Sequence, residues 1–369
     1  MSAMAETTVT ARRIFPINPR AGKEVNAKQL MLCWVDRDIG RAVRFASKPR
    51  EGSTTRVQSL AGNSGRILIT GANGHLGRRT ISRLTPADGL TRPVRAVVRS
   101  ERAAQTIRKH SHPAVEIEIL DYRDEEALTR AADGCEVAVH LVGIILETSR
   151  GSYRDAHELT SHALARAAAA AGLKRIVYLS ILGSHPDSSN DCLASKGRAE
   201  QILLDASTPV LILRVPMVLG PDDFASRALR RQAQARFTPL LRGGASAEQP
   251  IDAEDVVSAI LSGAAKPGLD DVALDLAGPE SLSRRELLER CARLHGNRPK
   301  VIPIPLSVEL AFAFLVEHLL PDPPLSRAMV GVLDHDDVVE TRRACERLGI
   351  RLTPLDRTLR SYIGPAESR

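Results

Sequence analysis

The feature that most limits how this chain can fold is a short apolar segment, residues 66–70, followed at once by three regularly spaced glycines. Gly71, Gly74 and Gly77 lead into an amphipathic stretch, so strand, tight turn and helix succeed one another directly. In such a unit the first glycine makes the turn, the second allows close approach to a phosphate, and the third lets the helix lie near the strand. This order of elements makes the pattern far more specific than the glycines alone.

The predicted helix presents the free amides of its first turn, and the positive end of its dipole, to whatever lies in front of it. A diphosphate is the ligand that this arrangement stabilises best, and Arg78 in the first turn adds positive charge. The loop therefore predicts a bound dinucleotide. The residues expected to surround its phosphates are Gly71, Asn73, Gly74, His75, Leu76 and Gly77.

Apolar segments alternate with helical ones from residue 66 to about residue 215, which predicts a Rossmann-type, doubly wound parallel sheet of the α/β class. Most segments are continuously apolar, as expected for strands that are covered on both faces. After Pro216 the alternation fades, so a smaller C-terminal α/β lobe is expected from about residue 217, within a domain spanning 65–369. The predicted strands are Arg66 to Thr70, Val94 to Arg99, Val115 to Leu120, Val137 to Val142, Arg175 to Ser180 and Val210 to Val215.

Residues 1–64 show no sustained helical or strand period and are expected to form a poorly ordered extension. They carry eleven Lys or Arg against five acids, and therefore +6 of the formal +7, so the remainder has no basic face that would bind nucleic acid. An organelle transit segment, which would imply a location in an organelle matrix, is an alternative that these acids disfavour. The five cysteines lack a CxxC pair and no apolar run reaches the length of a bilayer span, so we expect no metal site and a cytoplasmic location.

Three helices can be placed from local signals. An Ala-rich helix is expected from about His157 to Ala171, ended by Gly172. In the lobe, Ser283 precedes Glu286 by three residues, which is the spacing of a capping box at the start of a helix. The segment Leu306 to Leu320 is apolar over most of its circumference but too short to cross a membrane. A buried lobe helix is the favoured interpretation of this segment, and a docking surface for a membrane or a partner protein is the alternative.

The end of the second predicted strand bears on the choice of nucleotide. An acidic residue there would accept hydrogen bonds from the adenosine ribose of NAD, whereas this strand ends in Arg99. Arg102 lies nearby, with only Glu101 between them as a countercharge. The positive balance favours a 2′-phosphate, so NADP(H) is the preferred cofactor and NAD(H) the alternative. A solvated arginine without such a role is the competing interpretation.

The loop from Thr70 to Gly77 resembles that of the short-chain dehydrogenase/reductase superfamily, in its extended and atypical branches. The resemblance extends to about residue 300 and implies a contact between Asp121 and the adenine. It also implies a cofactor contact at Val142 and Gly143, after the fourth strand. Other segments that agree with the superfamily are Arg214-Val215-Pro216 and Gln249-Pro250-Ile251-Asp252, with Asp255 beyond.

The catalytic pattern of that superfamily is incomplete in this chain. Its enzymes use a tyrosine and, four residues later on one helix, a lysine that holds the nicotinamide ribose and lowers the pKa of the tyrosine. Lys196 occupies the lysine position, but Cys192 stands where the tyrosine belongs. Ser180 or Ser184 matches the serine that completes such a site. A thiol lacks the reach of a phenol, and Tyr178 on the preceding strand is expected to be core packing rather than a displaced acid.

Several loose motifs point to one branch of the superfamily. They are Leu141-Val142-Gly143-Ile144, Tyr153 to His157, Gln249-Pro250-Ile251, the apolar stretch after Pro305, Leu348-Gly349-Ile350 and Thr353-Pro354-Leu355. With them the sequence resembles the NAD(P)H-binding accessory subunit of respiratory complex I and its bacterial relatives. This resemblance implies a nucleotide held for a structural or sensing role, a membrane-associated protein partner and a peripheral place at the inner membrane. The alternative is an NADP-dependent reductase, epimerase or dehydratase with altered acid chemistry.

Overall fold

The computed structural model describes residues 65–85, 91–149, 151–221, 223–320, 322–323 and 325–365, so the extension predicted for residues 1–64 lies outside the described residues. Seven parallel strands form the central sheet. In chain order they are β1 (Arg66–Thr70), β2 (Val94–Val98), β3 (Glu116–Ile119), β4 (Cys135–His140), β5 (Arg175–Ile181), β6 (Val210–Val215) and β11 (Val272–Asp275). Their spatial order is β11-β6-β5-β4-β1-β2-β3, so the winding reverses between β1 and β4, where a ligand crevice is expected beyond the carboxyl ends.

Helices cover both faces of the sheet, as the continuous apolar strands require. One face carries α1 (His75–Leu84), α2 (Glu101–His110), α7 (Ala253–Ala265) and α11 (Arg342–Leu348). The other face carries α3 (Glu125–Ala132), α4 (Thr160–Ala170) and α5 (Asp191–Leu204). Because neighbouring strand residues point to opposite sides, Ile67 and Ile69 lie in the first core and Leu68 lies in the second.

The helix predicted from about His157 to Ala171 starts earlier than expected. A π-helical turn, Arg154–Leu159, runs directly into α4 and places the buried His157 near the carboxyl end of β4. Single π turns within helices are frequent at functional sites. The helix ends as predicted, since Gly172 adopts a φ of 65° after its last turn.

The Rossmann-type sheet is confirmed, with the six predicted strands in place. The seventh strand, β11, was not predicted because it is four residues long and pairs with β6 alone, at the edge of the sheet. With α7 it brings the chain back from the lobe to the main sheet. The lobe that was expected to begin at about residue 217 is therefore interrupted by residues 253–275, which pack with the nucleotide-binding part.

The lobe consists of short strand pairs and helices. Its strands are β7 (Val218–Leu219), β8 (Phe237–Leu241), β9 (Ala247–Glu248), β10 (Ile251–Asp252), β12 (Leu282–Ser283) and β13 (Lys300–Ile304). β7 pairs with β10 and β8 with β13 in parallel, whereas β9 pairs with β12 antiparallel. Its helices are α6 (Phe224–Gln234), α8 (Arg284–Leu294), α9 (Leu306–Leu319), α10 (Arg327–Leu333) and α12 (Leu355–Tyr362). The predicted start of α8 is confirmed, because the hydroxyl of Ser283 accepts a hydrogen bond from the amide of Glu286 at 3.1 Å.

α9 departs from the favoured sequence interpretation. Ala313 and Val316 are buried against the lobe, but most large apolar side chains of this helix are exposed to solvent. The exposed large apolar residues on and just after α9 are Val308, Phe312, Phe314, Leu315, Leu319 and Leu320. The expectation of a buried lobe helix is therefore wrong, since a helix that is apolar all round gives no signal of which face is covered. None of the described helices combines the length and the apolarity that a bilayer crossing requires.

Candidate functional site

The loop between β1 and α1 has the close contacts that a phosphate-binding turn needs. Gly71 adopts a φ of 71°, a left-handed conformation that favours glycine. A side-chain carbon at Gly77 would lie 2.6 Å from the carbonyl oxygen of Ala72 and 2.7 Å from that of Gly71, which is closer than atoms can pack. Gly74 precedes α1 and supplies no side-chain cap, so the first-turn amides stay available. These features fit a diphosphate held at the start of α1.

Tyr122 holds the loop between β1 and α1 in place through its hydroxyl. Its hydroxyl accepts a hydrogen bond from the amide of Gly71 at 3.1 Å and donates one to the carbonyl of Val97 at 3.0 Å. The ring is buried behind the end of β3. Sequence analysis missed this residue because its role depends on the pairing of β1, β2 and β3, and its position beside Asp121 carries no spacing signal.

His75 joins the phosphate loop to the lobe. Its Nε2 donates to the carbonyl oxygen of Pro221 at 2.9 Å. Burial lowers the pKa of this imidazole, and the nearby Arg79 acts in the same direction. Asn73 is exposed in the loop and Leu76 is half-buried in the first turn of α1.

The adenosine end of the predicted site lies at the carboxyl ends of β2 and β3. Arg99 is exposed, and its guanidinium lies 5.9 Å from the centre of the Tyr122 ring. Asp121 is exposed beside it and is bound by the guanidinium of Arg123 at 2.7 Å, which lowers the pKa of the carboxyl. Because Asp121 is already paired with Arg123, the charge of Arg99 is not fully compensated here. The resulting positive surface is compatible with a 2′-phosphate.

The loop after β4 forms the nicotinamide side of the predicted crevice. Val142 is buried and Gly143 is exposed. A side-chain carbon at Gly143 would lie 3.0 Å from Lys196 Nζ and 3.6 Å from His157 Nε2, so the backbone here passes close to both groups. His157 Nε2 accepts from the amide of Ile144 at 3.1 Å, and burial lowers the pKa of this imidazole to about 3. The histidine is therefore neutral and holds the loop in place.

Lys196 lies at the site but is bound to protein groups. Its Nζ donates to the hydroxyl of Tyr178 at 3.1 Å and to the carbonyl of Leu179 at 3.0 Å. The ammonium also lies 4.6 Å from the centre of the Tyr178 ring. Burial lowers the pKa of Lys196 to about 8. Tyr178 is completely buried, as the sequence analysis expected, and its hydroxyl is hydrogen-bonded to Lys196.

The remaining members of the superfamily pattern are also buried. Ser180 is hydrogen-bonded to Ser184 at 3.3 Å, and both hydroxyls are largely inaccessible to solvent. Cys192 is completely buried, its Sγ lies 3.8 Å from the carbonyl oxygen of Ile144, and burial raises its pKa to about 11. The thiol is neutral at physiological pH and points to protein backbone. The structure thus brings Ser180, Cys192 and Lys196 to one end of the sheet but supplies no phenol at position 192. The part of the chain that the structure describes has no cluster of side chains that fits a metal ion.

Comparison with proteins of known sequence agrees with this geometry. Residues 71–261 match the model of the NAD(P)H-binding family. The chain is 30% identical over 247 residues to the ceramide reductase of Caulobacter vibrioides, covering 65% of this chain and 74% of that protein. It is 28% identical over 200 residues to subunit 9 of the mitochondrial NADH dehydrogenase (ubiquinone) 1 alpha subcomplex of Arabidopsis thaliana, covering 53% of this chain and 49% of that subunit. The chain thus matches about half the length of the plant subunit.

Solved structures show the same fold. The triphenylmethane reductase of Citrobacter sp. superposes with a TM-score of 0.63 at 20% sequence identity, covering 81% of this chain and 99% of that protein. At this identity the likeness establishes the fold alone. Together with the family match and the crevice between β1 and β4, it places the chain among dinucleotide-binding proteins. The chain belongs to the NAD(P)H-binding family.

Proposed function

We propose that this protein holds NAD(P)(H) as a retained nucleotide with a structural or sensing role. The observation that carries the proposal is the state of the catalytic positions: Cys192 replaces the tyrosine, and Lys196 is bound to Tyr178 and to backbone. The loop between β1 and α1 has the glycine geometry that supports phosphate binding, whereas the tyrosine of the superfamily's proton relay is absent at position 192. Binding without turnover through that relay follows from this combination.

NADP(H) is the nucleotide that we propose, with NAD(H) as the alternative. Arg99 is exposed at the end of β2, next to the loop that leads into α2, and Asp121 is already paired with Arg123. An exposed guanidinium at this position can form charge-assisted hydrogen bonds with a 2′-phosphate. The contacts of the nucleotide with Asn73, His75, Val142 and Gly143 belong to the same proposal.

A membrane-associated protein is the partner that we propose for the exposed face of α9. The face combines Phe312, Leu315 and Leu319 with Val308, and Ile145 of the loop after β4 is exposed as well. Isolated apolar side chains on a surface are ordinary, but a continuous group of this kind marks an interaction site. The relatives that are subunits of a respiratory NADH dehydrogenase support a protein in that setting as the occupant, with the chain at the periphery of the inner membrane.

Retention of the nucleotide tests the central part of the proposal. Purified protein is passed through gel filtration, and bound NADP(H) is measured by its absorbance and by mass spectrometry. We expect the nucleotide to stay with the protein and no oxidation of NADPH with a panel of aldehydes, ketones and sugar nucleotides. In the variant Cys192→Tyr, newly gained oxidation would show that only the phenol is missing. Rapid substrate-dependent oxidation by the unmodified protein would contradict a retained nucleotide.

The docking surface is tested by Leu315→Glu, since a charge in the centre of the patch opposes burial of the face. The matched control is Ile119→Glu, because Ile119 is an exposed apolar residue on β3, at the far edge of the sheet. We expect the first variant to lose co-sedimentation with membrane fractions and cross-linking to membrane proteins, and the control to keep both. Unchanged association of Leu315→Glu would remove α9 as the contact.

A carbonyl reductase is the second candidate function. It is favoured by the 30% identity to ceramide reductase over most of that protein. In this candidate the bound NADPH supplies a hydride, and a group other than a tyrosine must supply the proton.

A further inference from the structure

The segment that follows β4, residues 143–149 and here called the β4 loop, reaches from the lysine-bearing end of the sheet to the lobe. At its start, a side-chain carbon on Gly143 would lie 3.0 Å from Lys196 Nζ. Three residues later, Leu146 packs into the apolar cluster that α9 and α10 form with the end of β8. Ile145, between them, is exposed beside this cluster. One short segment therefore contacts both the proposed nicotinamide side and the helix proposed to dock a partner.

Hydrogen bonds also fix the lobe end of the β4 loop. The amide of Ser149 donates to the carboxylate of Asp322, just after α9, at 2.7 Å. The hydroxyl of the buried Tyr153 donates to the carbonyl of Ile145 at 3.0 Å. Together with the packing of Leu146, these contacts join the β4 loop to the α9 and α10 pair at several points. A change in the position of the loop is therefore passed on to the two helices.

The other end of the β4 loop, beside Lys196, is held weakly. The amide of Ile144 donates to Nε2 of His157 at 3.1 Å, and its carbonyl oxygen lies 3.8 Å from Sγ of Cys192. An imidazole nitrogen that accepts from the amide cannot also donate to the carbonyl, and a thiol is a weak donor. Most residues of the β4 loop are exposed. A segment with so few buried contacts changes conformation at a small cost in free energy, so a ligand can shift its conformational equilibrium.

The β4 loop starts at the place where a nucleotide is expected. The winding of the sheet reverses between β1 and β4, and ligands of such sheets bind beyond the carboxyl ends of these strands. A nucleotide that extends from the start of α1 past β4 covers the exposed backbone at Gly143 and limits the conformations of the loop. At most roughly 10 Å of extended chain separates Gly143 from Leu146, so fixing the first residue restricts the second.

We propose that the β4 loop couples the nucleotide to the docking face of α9. NADP(H) in the crevice fixes the loop, and with it Leu146 and the α9 and α10 pair, in the arrangement that binds the partner. The inference rests on the proposed function, for which it supplies the sensing step. Protein that holds the nucleotide binds its partner more tightly than protein without it. Because coupling between two binding sites is reciprocal, a docked partner also tightens the binding of the nucleotide.

The test is amide hydrogen exchange of the full chain, followed by mass spectrometry, with and without saturating NADPH. Exchange should slow by roughly fivefold or more in residues 71–77, in the β4 loop and in α9 and α10, which is the lower end of ordinary coupling between sites. It should not change in α8, which belongs to a separate apolar cluster of the lobe and therefore reports any general stabilisation.

A variant of the β4 loop tests the route of the coupling. Leu146→Ala removes the contact with the cluster of α9 and α10. NADPH should still slow exchange in residues 71–77 and in the β4 loop of this variant, but no longer in the two helices. The matched control is Leu204→Ala, the same truncation of a half-buried leucine at the end of α5 that packs in the core beneath the sheet. This control should keep the effect of NADPH on α9 and α10.

The outcomes separate this inference from the proposed function. If NADPH changes exchange nowhere and does not bind in a fluorescence titration, the retained nucleotide fails and the coupling fails with it. If NADPH slows exchange in residues 71–77 but not in α9 and α10, only the coupling is refuted. An equal effect on the two helices in Leu146→Ala and in the unmodified protein also overturns it. If Leu146→Ala does not fold, Asp322→Ala decides, and an undiminished effect in that variant refutes the coupling.

Discussion

Gly77→Ala is the substitution that tests the phosphate loop most sharply, because two effects oppose each other at this position. Alanine favours a helix over glycine by about 1 kcal/mol. Against this, the new methyl group would lie 2.6 Å from the carbonyl oxygen of Ala72 and 2.7 Å from that of Gly71. Both neighbours are backbone atoms that cannot rotate away, and overpacking of this kind is unfavourable by roughly 1–3 kcal/mol. The collision therefore outweighs the gain in propensity.

The strain is relieved by moving the start of α1 away from the loop, and this takes the first-turn amides off the phosphates. If about 1–2 kcal/mol of the strain appears in binding, NADPH affinity falls by roughly 5- to 30-fold. Titration of the protein with NADPH, followed by nicotinamide fluorescence, measures this change.

Gly151→Ala is the matched control for this experiment. An added side-chain carbon at Gly151 meets nothing within 4 Å, so the same change of residue type should leave NADPH affinity unaltered. Equal affinities of Gly77→Ala and the unmodified protein would refute the proposed role of the loop. Equal losses in both variants would show that the effect is not specific to it.

Three further outcomes are expected. Arg99→Asp should weaken NADPH binding by tenfold or more without weakening NADH binding, because a charge-assisted contact to the 2′-phosphate is lost. The control Arg108→Asp should leave NADPH binding unchanged. Equal NADPH affinity of both variants would contradict the preference for NADP(H). Tyr178→Phe should lower the free energy of unfolding in urea by about 1–3 kcal/mol, since the buried Lys196 loses an acceptor at 3.1 Å; an unchanged value would show that the contact is weak. Burial raises the pKa of Asp255 to about 6, above that of the unfolded chain, so the contribution of this carboxyl to stability should be largest at low pH and decline by on the order of 2 kcal/mol as pH rises from about 4 to about 6. Asp255→Asn should lack this decline in urea titrations, and an identical pH dependence in the variant would contradict the assignment.

The parts of the site that could be predicted are those encoded locally. The strand, the three glycines and the start of α1 are adjacent in sequence, so their geometry follows from backbone conformation and spacing. The same holds for Cys192 and Lys196, which lie four residues apart on one helix, and for the cap formed by Ser283. In each case the signal and the structure involve the same few residues.

What could not be predicted depends on contacts between distant segments. Tyr122 binds the amide of Gly71 across a separation of 51 residues, and Lys196 finds Tyr178 on another element, so neither partner could be inferred from spacing. The exposed face of α9 depends on how few lobe residues pack against that helix. His335 meets Gly183 only because the lobe folds back on the loop after β5. Each of these four features is determined by tertiary packing.

The most direct measurement is a crystal structure of the protein grown with NADPH. The diphosphate is expected against the first-turn amides of α1, between Gly71 and Gly77, with the 2′-phosphate near Arg99. A crevice left empty at saturating NADPH, or a nucleotide bound at a different edge of the sheet, would contradict the assignment of this loop as the binding site.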